Sequence, residues 1–357
     1  MVLQRADFSS LSNTLQSLRE AVQHNCDIAD ARHALDYSLC TYLLKMREYY
    51  RWSDELGYDV DLSATDVAGW VDAQEQRWAK LEGAPFAPIT VEQTDFDVFD
   101  NEGINKVLNA QGVAYSAGLG KFLRPLFFLG ELLATEELEG YRILICEQEY
   151  ARGLTAPPAM ANGRLIVIRR DALRRVLWEI IEDWRWKKPE DALARAIRFY
   201  DFDTDVNNAL ERMTDHEMEA LILHEIGEVV AGEILGSRWH TMMTTLSRPT
   251  AEIMVRGVRD HLADCLSALP ALLNSADTPS LHFYFANLTA MRKELFPTLV
   301  DAYQHWVESQ DLSRLKRVVR EGKDHWLAVA GRILEFHQRY GNGCQQPIES
   351  FVTKSQF

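Results

Sequence analysis

Apolar residues recur at helical spacing along most of this 357-residue chain and change period once, between Tyr141 and Arg170. A repeat of three to four residues gives each helix one stripe to bury, so the pattern restricts the chain to packed helices with a short β interruption. The stripe Leu35, Leu39, Tyr42, Leu43, Met46 and Tyr50 predicts a helix over 28–52, with Asp27 or Asp30 as its cap. Ala64 to Leu81 predicts a second, stopped by Gly83-Ala84-Pro85-Phe86-Ala87-Pro88. Residues 96–138 read as two helices joined near Gly118-Leu119-Gly120. That Gly-x-Gly follows a predicted helix rather than a strand, so it carries little weight as a phosphate loop.

Where the period changes, Tyr141–Cys146 and Arg164–Arg169 are β-branched runs of strand length, expected to form a long-looped hairpin around Pro157, Pro158 and Gly163. Asp171 then caps a helix reaching about Trp186. Further helices are predicted over 190–200, 214–235, 250–274, 280–309 and 312–339, with an irregular tail from Gly341. The fold class expected is mainly α with a small β-hairpin. A helical N-terminal domain, 1–139, would precede a hairpin-plus-helices domain, 140–357.

Hydrophobic residues at 47 % and charged residues at 25 % are ordinary globular proportions, enough for a full core without disulfides. Thirty-eight Lys and Arg against 53 Asp and Glu leave a net charge of −15, which argues against nucleic acid or an anionic membrane as the main partner. Five cysteines, an odd number with no Cys-x-x-Cys pair, point to reduced thiols in a cytoplasmic protein. Met1–Asp7 has no signal-peptide pattern, and no window approaches the ~18 apolar residues of a membrane span.

Chemistry concentrates in Leu223-His224-Glu225-Ile226-Gly227-Glu228. Residues four apart share a helix face, so His224 and Glu228 can address one ion, while Glu225 is rotated about 100° toward a water on it. Thr214-Asp215-His216-Glu217 is a capping-box sequence that would start this helix. Leu221, Ile222, Ile226, Val229, Val230 and Ile234 surround the polar positions, and charged groups in such company are costly unless paired or ligated. The bland alternative is a helix with an apolar core face and a solvated Glu/His face, to which Glu233 would belong. Against it stands a second cluster, Asp260-His261-Leu262-Ala263-Asp264, again with acids four apart.

His-Glu-x-x-ligand followed by acid-x-x-Ala-Asp resembles the gluzincin-like metallopeptidases over about 50 residues. That resemblance implies His224, Glu228 and Asp260 as metal ligands, Glu225 as general base and Asp264 as the partner that orients the ligand histidine, with His261 as an alternative ligand. It also places the strand Leu165–Ile168 at the edge of a cleft. Here Glu228 stands where that family has its second histidine, and Asp260 where it has a glutamate. One nitrogen and two carboxylates form a harder set, which admits iron or manganese beside zinc.

The same helix resembles, more weakly, the metal helix of HD-domain phosphohydrolases. Those would need a first ligand from His24, His33 or Glu179 and a last from Asp260, Asp264 or Asp301. The chain as a whole resembles an uncharacterised bacterial protein family. Three readings stand: a metal-dependent hydrolase of zincin type acting on a peptide or small molecule, an HD-like phosphohydrolase, and a non-enzymatic helical binding or scaffold protein with a structural or degenerate metal site.

Overall fold

Between Trp178 and Glu179 the chain divides into two compact units, 1–178 and 179–357. The computed structural model describes residues 8–58, 60–120, 123–187 and 189–357. Met1–Asp7, on which the signal-peptide expectation rests, lies outside them.

Unit 1 opens with α1 (Phe8–His33), α2 (Leu39–Ser53) and α3 (Ala64–Trp78). The single helix expected over 28–52 is two, because Tyr37 and Ser38 are extended and the Ser38 hydroxyl accepts from the Thr41 N–H to start α2. Asp27 and Asp30 are therefore interior to α1 rather than caps. Asp30 accepts from the Leu154 N–H at 2.7 Å, and Asp27 accepts from the Trp78 indole at 3.3 Å.

The small hairpin β1 (Ile89–Val91) and β2 (Thr94–Phe96) and the helix α4 (Asn101–Leu108) lead into a five-stranded sheet. Its strands are β3 (Val113–Leu119), β4 (Pro125–Leu138), β5 (Tyr141–Arg152), β6 (Ala159–Asn162) and β7 (Leu165–Arg169), in the order β3-β4-β5-β7-β6. Two expectations are corrected here. Val113–Leu119 and Pro125–Leu138 are strands, not helices, since β4 pairs with β3 on one side and β5 on the other and that pairing overrides a Leu- and Glu-rich sequence. The runs around 141–146 and 164–169 are not a hairpin. β5 and β7 pair in parallel, and the tight turn at Gly163 joins β6 to β7 instead.

Alternation sorts the sheet's side chains. Tyr115, Phe127, Leu129 and Ala151 face a core with Leu18, Val22 and Cys26 of α1, while Ala114, Phe128, Leu144 and Val167 share the other face. The open edge of β3 is closed by asparagines of α4: Asn105 exchanges hydrogen bonds with the Tyr115 backbone, and Asn101 with that of Ala117. The expected boundary at 139 falls in the β4–β5 turn, where Leu138 pairs with Tyr141. A cut there would divide one sheet, which is why the break lies later, within α5 (Arg170–Lys187).

The regular elements among the described residues of unit 2 are helices: α6 (Ala192–Ile197), α7 (Val206–Leu235), α8 (Ser237–Thr245), α9 (Pro249–Leu266), α10 (Ala268–Ser275), α11 (Thr278–Asn287), α12 (Ala290–Leu295), α13 (Pro297–Ser309), α14 (Ser313–Tyr340) and α15 (Gln345–Thr353). The expected tail after Gly341 is thus a 3₁₀ turn and α15, anchored because Ile348 and Val352 are fully buried. One core holds the unit, with Leu262, Phe296, Leu299, Tyr303 and Trp326 at its centre. No described helix is long and apolar enough to cross a membrane.

Candidate functional site

The helix that carries His224 begins at Val206, not at the Thr214 capping box. Asp205 caps it by accepting from the Asn208 N–H, and Thr214 instead returns its hydroxyl to the Leu210 carbonyl. Eight extra residues put His224 in the middle of a 30-residue helix. There α7 meets α9 with almost no side chain between them. A Cβ on Gly227 would come to 2.4 Å from the Ala263 carbonyl oxygen. This close approach brings the polar residues on either side of Gly227 alongside those flanking Ala263.

His224 Nδ1 lies 2.7 Å from Asp264 Oδ1, and its Nε2 lies 3.6 Å from Glu228 Oε1. Asp264 is buried, and it also accepts from the Tyr284 hydroxyl at 2.9 Å and from the Arg292 guanidinium. Burial alone would lift the Asp264 carboxyl, but Arg292 and His224 outweigh it and hold it well below the usual carboxylate range. His224 is the mirror case: burial opposes its charge, yet Asp264 and Glu228 raise it well above the usual histidine value.

Glu228 and Asp260 meet at one guanidinium nitrogen. Arg259 Nη2 is 2.7 Å from Glu228 Oε1 and 3.4 Å from Asp260 Oδ1. Against the pull of burial, His224 and Arg259 bring the Glu228 carboxyl down to about 2. Burial and the Glu228 charge raise that of Asp260. Burial, reinforced by Glu228, lifts Glu225 to about 7, and among the described residues its carboxylate takes part in no hydrogen bond. The cluster is close to neutral as it stands, with His224, Arg259 and Arg292 balancing Glu228, Asp260 and Asp264.

His224, Glu228, Asp260 and Asp264 are therefore brought together, and Asp264 takes the orienting position. His261 is not among them. It is fully buried, stacks on Trp326 with ring centroids 5.1 Å apart, and has Nε2 3.0 Å from the Arg292 carbonyl. Burial and Arg292 press its pKa down to about 3. The strand expected beside the cleft is β7, which lies between β5 and β6 in unit 1 and is no edge. His24 and His33, offered as HD-type ligands, also belong to unit 1. Sequence reasoning missed Arg259, Tyr284 and Arg292. The first was legible as a cation beside Asp260, but nothing in the sequence tied Tyr284 and Arg292, 20 and 28 residues downstream, to Asp264.

The donors fit a divalent metal in part. An Nε2–Oε1 separation of 3.6 Å is close to that of two ligands on one ion, each at roughly 2.0–2.2 Å. Yet among the described residues no three His, Cys, Asp or Glu side chains are arranged to hold one, since Arg259 stands between Glu228 and Asp260. His224 and Glu228 are the two donors whose separation suits a shared ion.

No curated protein and no solved structure matches the chain. Two domain descriptions do match: the N-terminal domain of a family of unknown function, DUF6866, over residues 17–169, and its C-terminal domain over 174–355. The gap between them, 170–173, lies a few residues before the division between the units. The chain belongs to the family of unknown function DUF6866.

Proposed function

We propose that unit 2 is a metal-dependent hydrolase centred on α7 and α9. The observation that carries this reading is the alignment Asp264–His224–Glu228: a buried carboxylate fixes Nδ1, which leaves Nε2 directed to a second carboxylate. When bound, a divalent ion would supply the Lewis acidity that makes water nucleophilic at neutral pH. Zinc, iron and manganese all suit one imidazole with two carboxylates. Glu225, with a carboxyl near 7 and no hydrogen-bond partner among the described residues, is suited to accept a proton from the attacking water and pass it to the leaving group. Arg259 holds the two carboxylates together while no ion is present. Its release and the loss of the His224 proton would remove two positive charges, matching those of a divalent ion.

A second reading is favoured by Arg259 itself. If its guanidinium takes the ion's place permanently, the cluster is a clamp between α7 and α9, and the protein is a binding or scaffold module. Elemental analysis and titration with Zn²⁺, Mn²⁺ and Fe²⁺, beside turnover on a peptide panel and a phosphoester panel, separate the two. The hydrolase reading expects a stoichiometric metal, turnover lost in Glu225→Gln with metal retained, and both lost in His224→Ala. Peptide turnover would indicate a zincin-like activity, and phosphoester turnover an HD-like one. No metal uptake by the unmodified chain, with marked loss of stability in Arg259→Gln, would overturn the hydrolase and leave the clamp.

A further inference from the structure

Away from the α7–α9 residues, unit 2 carries an open cavity of about 350 Å³ bordered by Arg195, Phe199, His282 and Val307. Arg195 comes from α6, His282 from α11 and Val307 from α13, while Phe199 follows α6 directly. His282 is only 8 % exposed, so an unmatched ring nitrogen there carries a cost. Its Nδ1 is matched, lying 2.9 Å from the Tyr303 hydroxyl. Its Nε2 takes part in no hydrogen bond among the described residues.

The partners decide where the protons sit. Arg195 donates to the Tyr303 oxygen at 3.4 Å, so the hydroxyl proton is left to point at His282 Nδ1. Burial, reinforced by Arg195, presses the His282 pKa down to about 4, and the ring is uncharged at neutral pH. An uncharged imidazole that accepts at Nδ1 carries its proton on Nε2. Trp306 stacks on the ring with centroids 4.8 Å apart, which holds that N–H in place at the cavity wall.

A cation with donors to spare stands beside it. The contact to Tyr303 is the one hydrogen bond of the Arg195 guanidinium among the described residues, and there it enters no ion pair. Arg198, also on the cavity, is by contrast occupied by both oxygens of Glu190, at 2.6 and 2.9 Å. Phe199 and Val307 supply apolar surface, and Phe199 is 46 % exposed.

We propose that this cavity binds a small monocarboxylate with an apolar body, its oxygens accepting from His282 Nε2 and the Arg195 guanidinium and its body lying on Phe199 and Val307. One permanent cation and one neutral donor suit a single negative charge, and a guanidinium fork suits a planar carboxylate. The volume is at the small end of ligand pockets, roughly 300 Å³ upward, so the occupant is a small molecule rather than a polymer. The site shares no residue with the α7–α9 centre and does not rest on the hydrolase reading.

Calorimetric titration of the full chain with benzoate, butyrate and inorganic phosphate tests it, with the His282 Nε2 proton resonance followed in parallel in isotopically labelled protein. Saturable one-to-one binding of benzoate or butyrate is expected, tighter than that of phosphate, with a shift of that resonance. Arg195→Gln should weaken the binding about tenfold, the size of one hydrogen bond to a charged group. Phe199→Ala should weaken it about three- to tenfold through lost apolar contact. Neither residue is buried, so both variants keep the fold. No saturable binding of either carboxylate would overturn the proposal, as would binding that leaves the His282 resonance unmoved or an affinity unchanged in Arg195→Gln. Phosphate bound more tightly than both carboxylates would overturn the choice of a monocarboxylate.

Discussion

Replacing Gly227 by alanine tests the packing that assembles the α7–α9 centre. The new Cβ would lie 2.4 Å from the Ala263 carbonyl oxygen and 3.0 Å from its carbon, both backbone atoms that no rotamer change can move. Restoring an ordinary contact requires the helices to part by roughly 1 Å, and overpacking of this kind costs about 3 kcal/mol at the upper end of its range. Alanine recovers about 1 kcal/mol of helix propensity, leaving unit 2 destabilised by about 2 kcal/mol. For a unit of this size, 179–357, that lowers its melting temperature by roughly 4–8 °C. The same displacement would stretch the 2.7 Å His224–Asp264 contact beyond hydrogen-bonding range. Gly232 is the control, since a Cβ there meets nothing within 4 Å, and Gly232→Ala should stabilise by up to about 1 kcal/mol. Calorimetry gives the stabilities, and the downfield Nδ1 proton resonance of His224 reports the contact. If Gly227→Ala melts as high as Gly232→Ala and keeps that resonance, close helix approach does not build the site.

Three further outcomes follow from buried or strained groups. Glu217 is buried beside Ser280, and burial lifts its carboxyl from about 4.5 to about 8. The folded protein holds that proton more tightly than the unfolded chain, so its contribution is full below about pH 4.5 and is lost as pH rises through about 8. Glu217→Gln, which can still accept from the Ser280 hydroxyl, should flatten this decline and raise stability near pH 9 by about 1–3 kcal/mol in a pH series of thermal melts. Asp264→Asn leaves Arg292 without its buried counter-charge and should cost about 3–5 kcal/mol in denaturant unfolding, whereas Asp260→Asn, at a partly exposed side chain, should cost no more than about 1 kcal/mol. Glu55 sits at the C-terminus of α2 with φ 53°, where Glu55 and Leu56 return their N–H groups to Trp52 and Arg51. Glycine is at ease in that left-handed position, so Glu55→Gly should gain about 1 kcal/mol by the same assay.

Local signals in the sequence reached part of this far. Spacing of four placed His224 with Glu228 and Asp260 with Asp264 on shared helix faces, because a helix converts interval directly into direction. The small residues Gly227 and Ala263 lay in plain view within those motifs, but only the folded contact reveals that one seats against the other. The capping box at Thr214 misled because Asp205 offered an earlier start and Glu217 is drawn inward to Ser280. Strand β4 was illegible for a different reason. Leu132-Leu133-Ala134 and Glu136-Glu137 are good helix formers, and only partners distant in sequence make them a strand. His261 shows the limit of reading chemistry from residue type. In sequence it stands between Asp260 and Asp264, and its neighbours in space are Trp326 and Phe296.

The proposed centre requires that Asp264 aim His224 Nε2 so that it and Glu228 can share a divalent ion. Anomalous diffraction from crystals of the full chain grown with Mn²⁺ or Zn²⁺ tests this most directly. A bound ion should give a peak roughly 2.0–2.3 Å from both His224 Nε2 and a Glu228 oxygen, with the Arg259 side chain turned away from Asp260. A map with no peak there, and Arg259 still bridging Glu228 and Asp260, would contradict it.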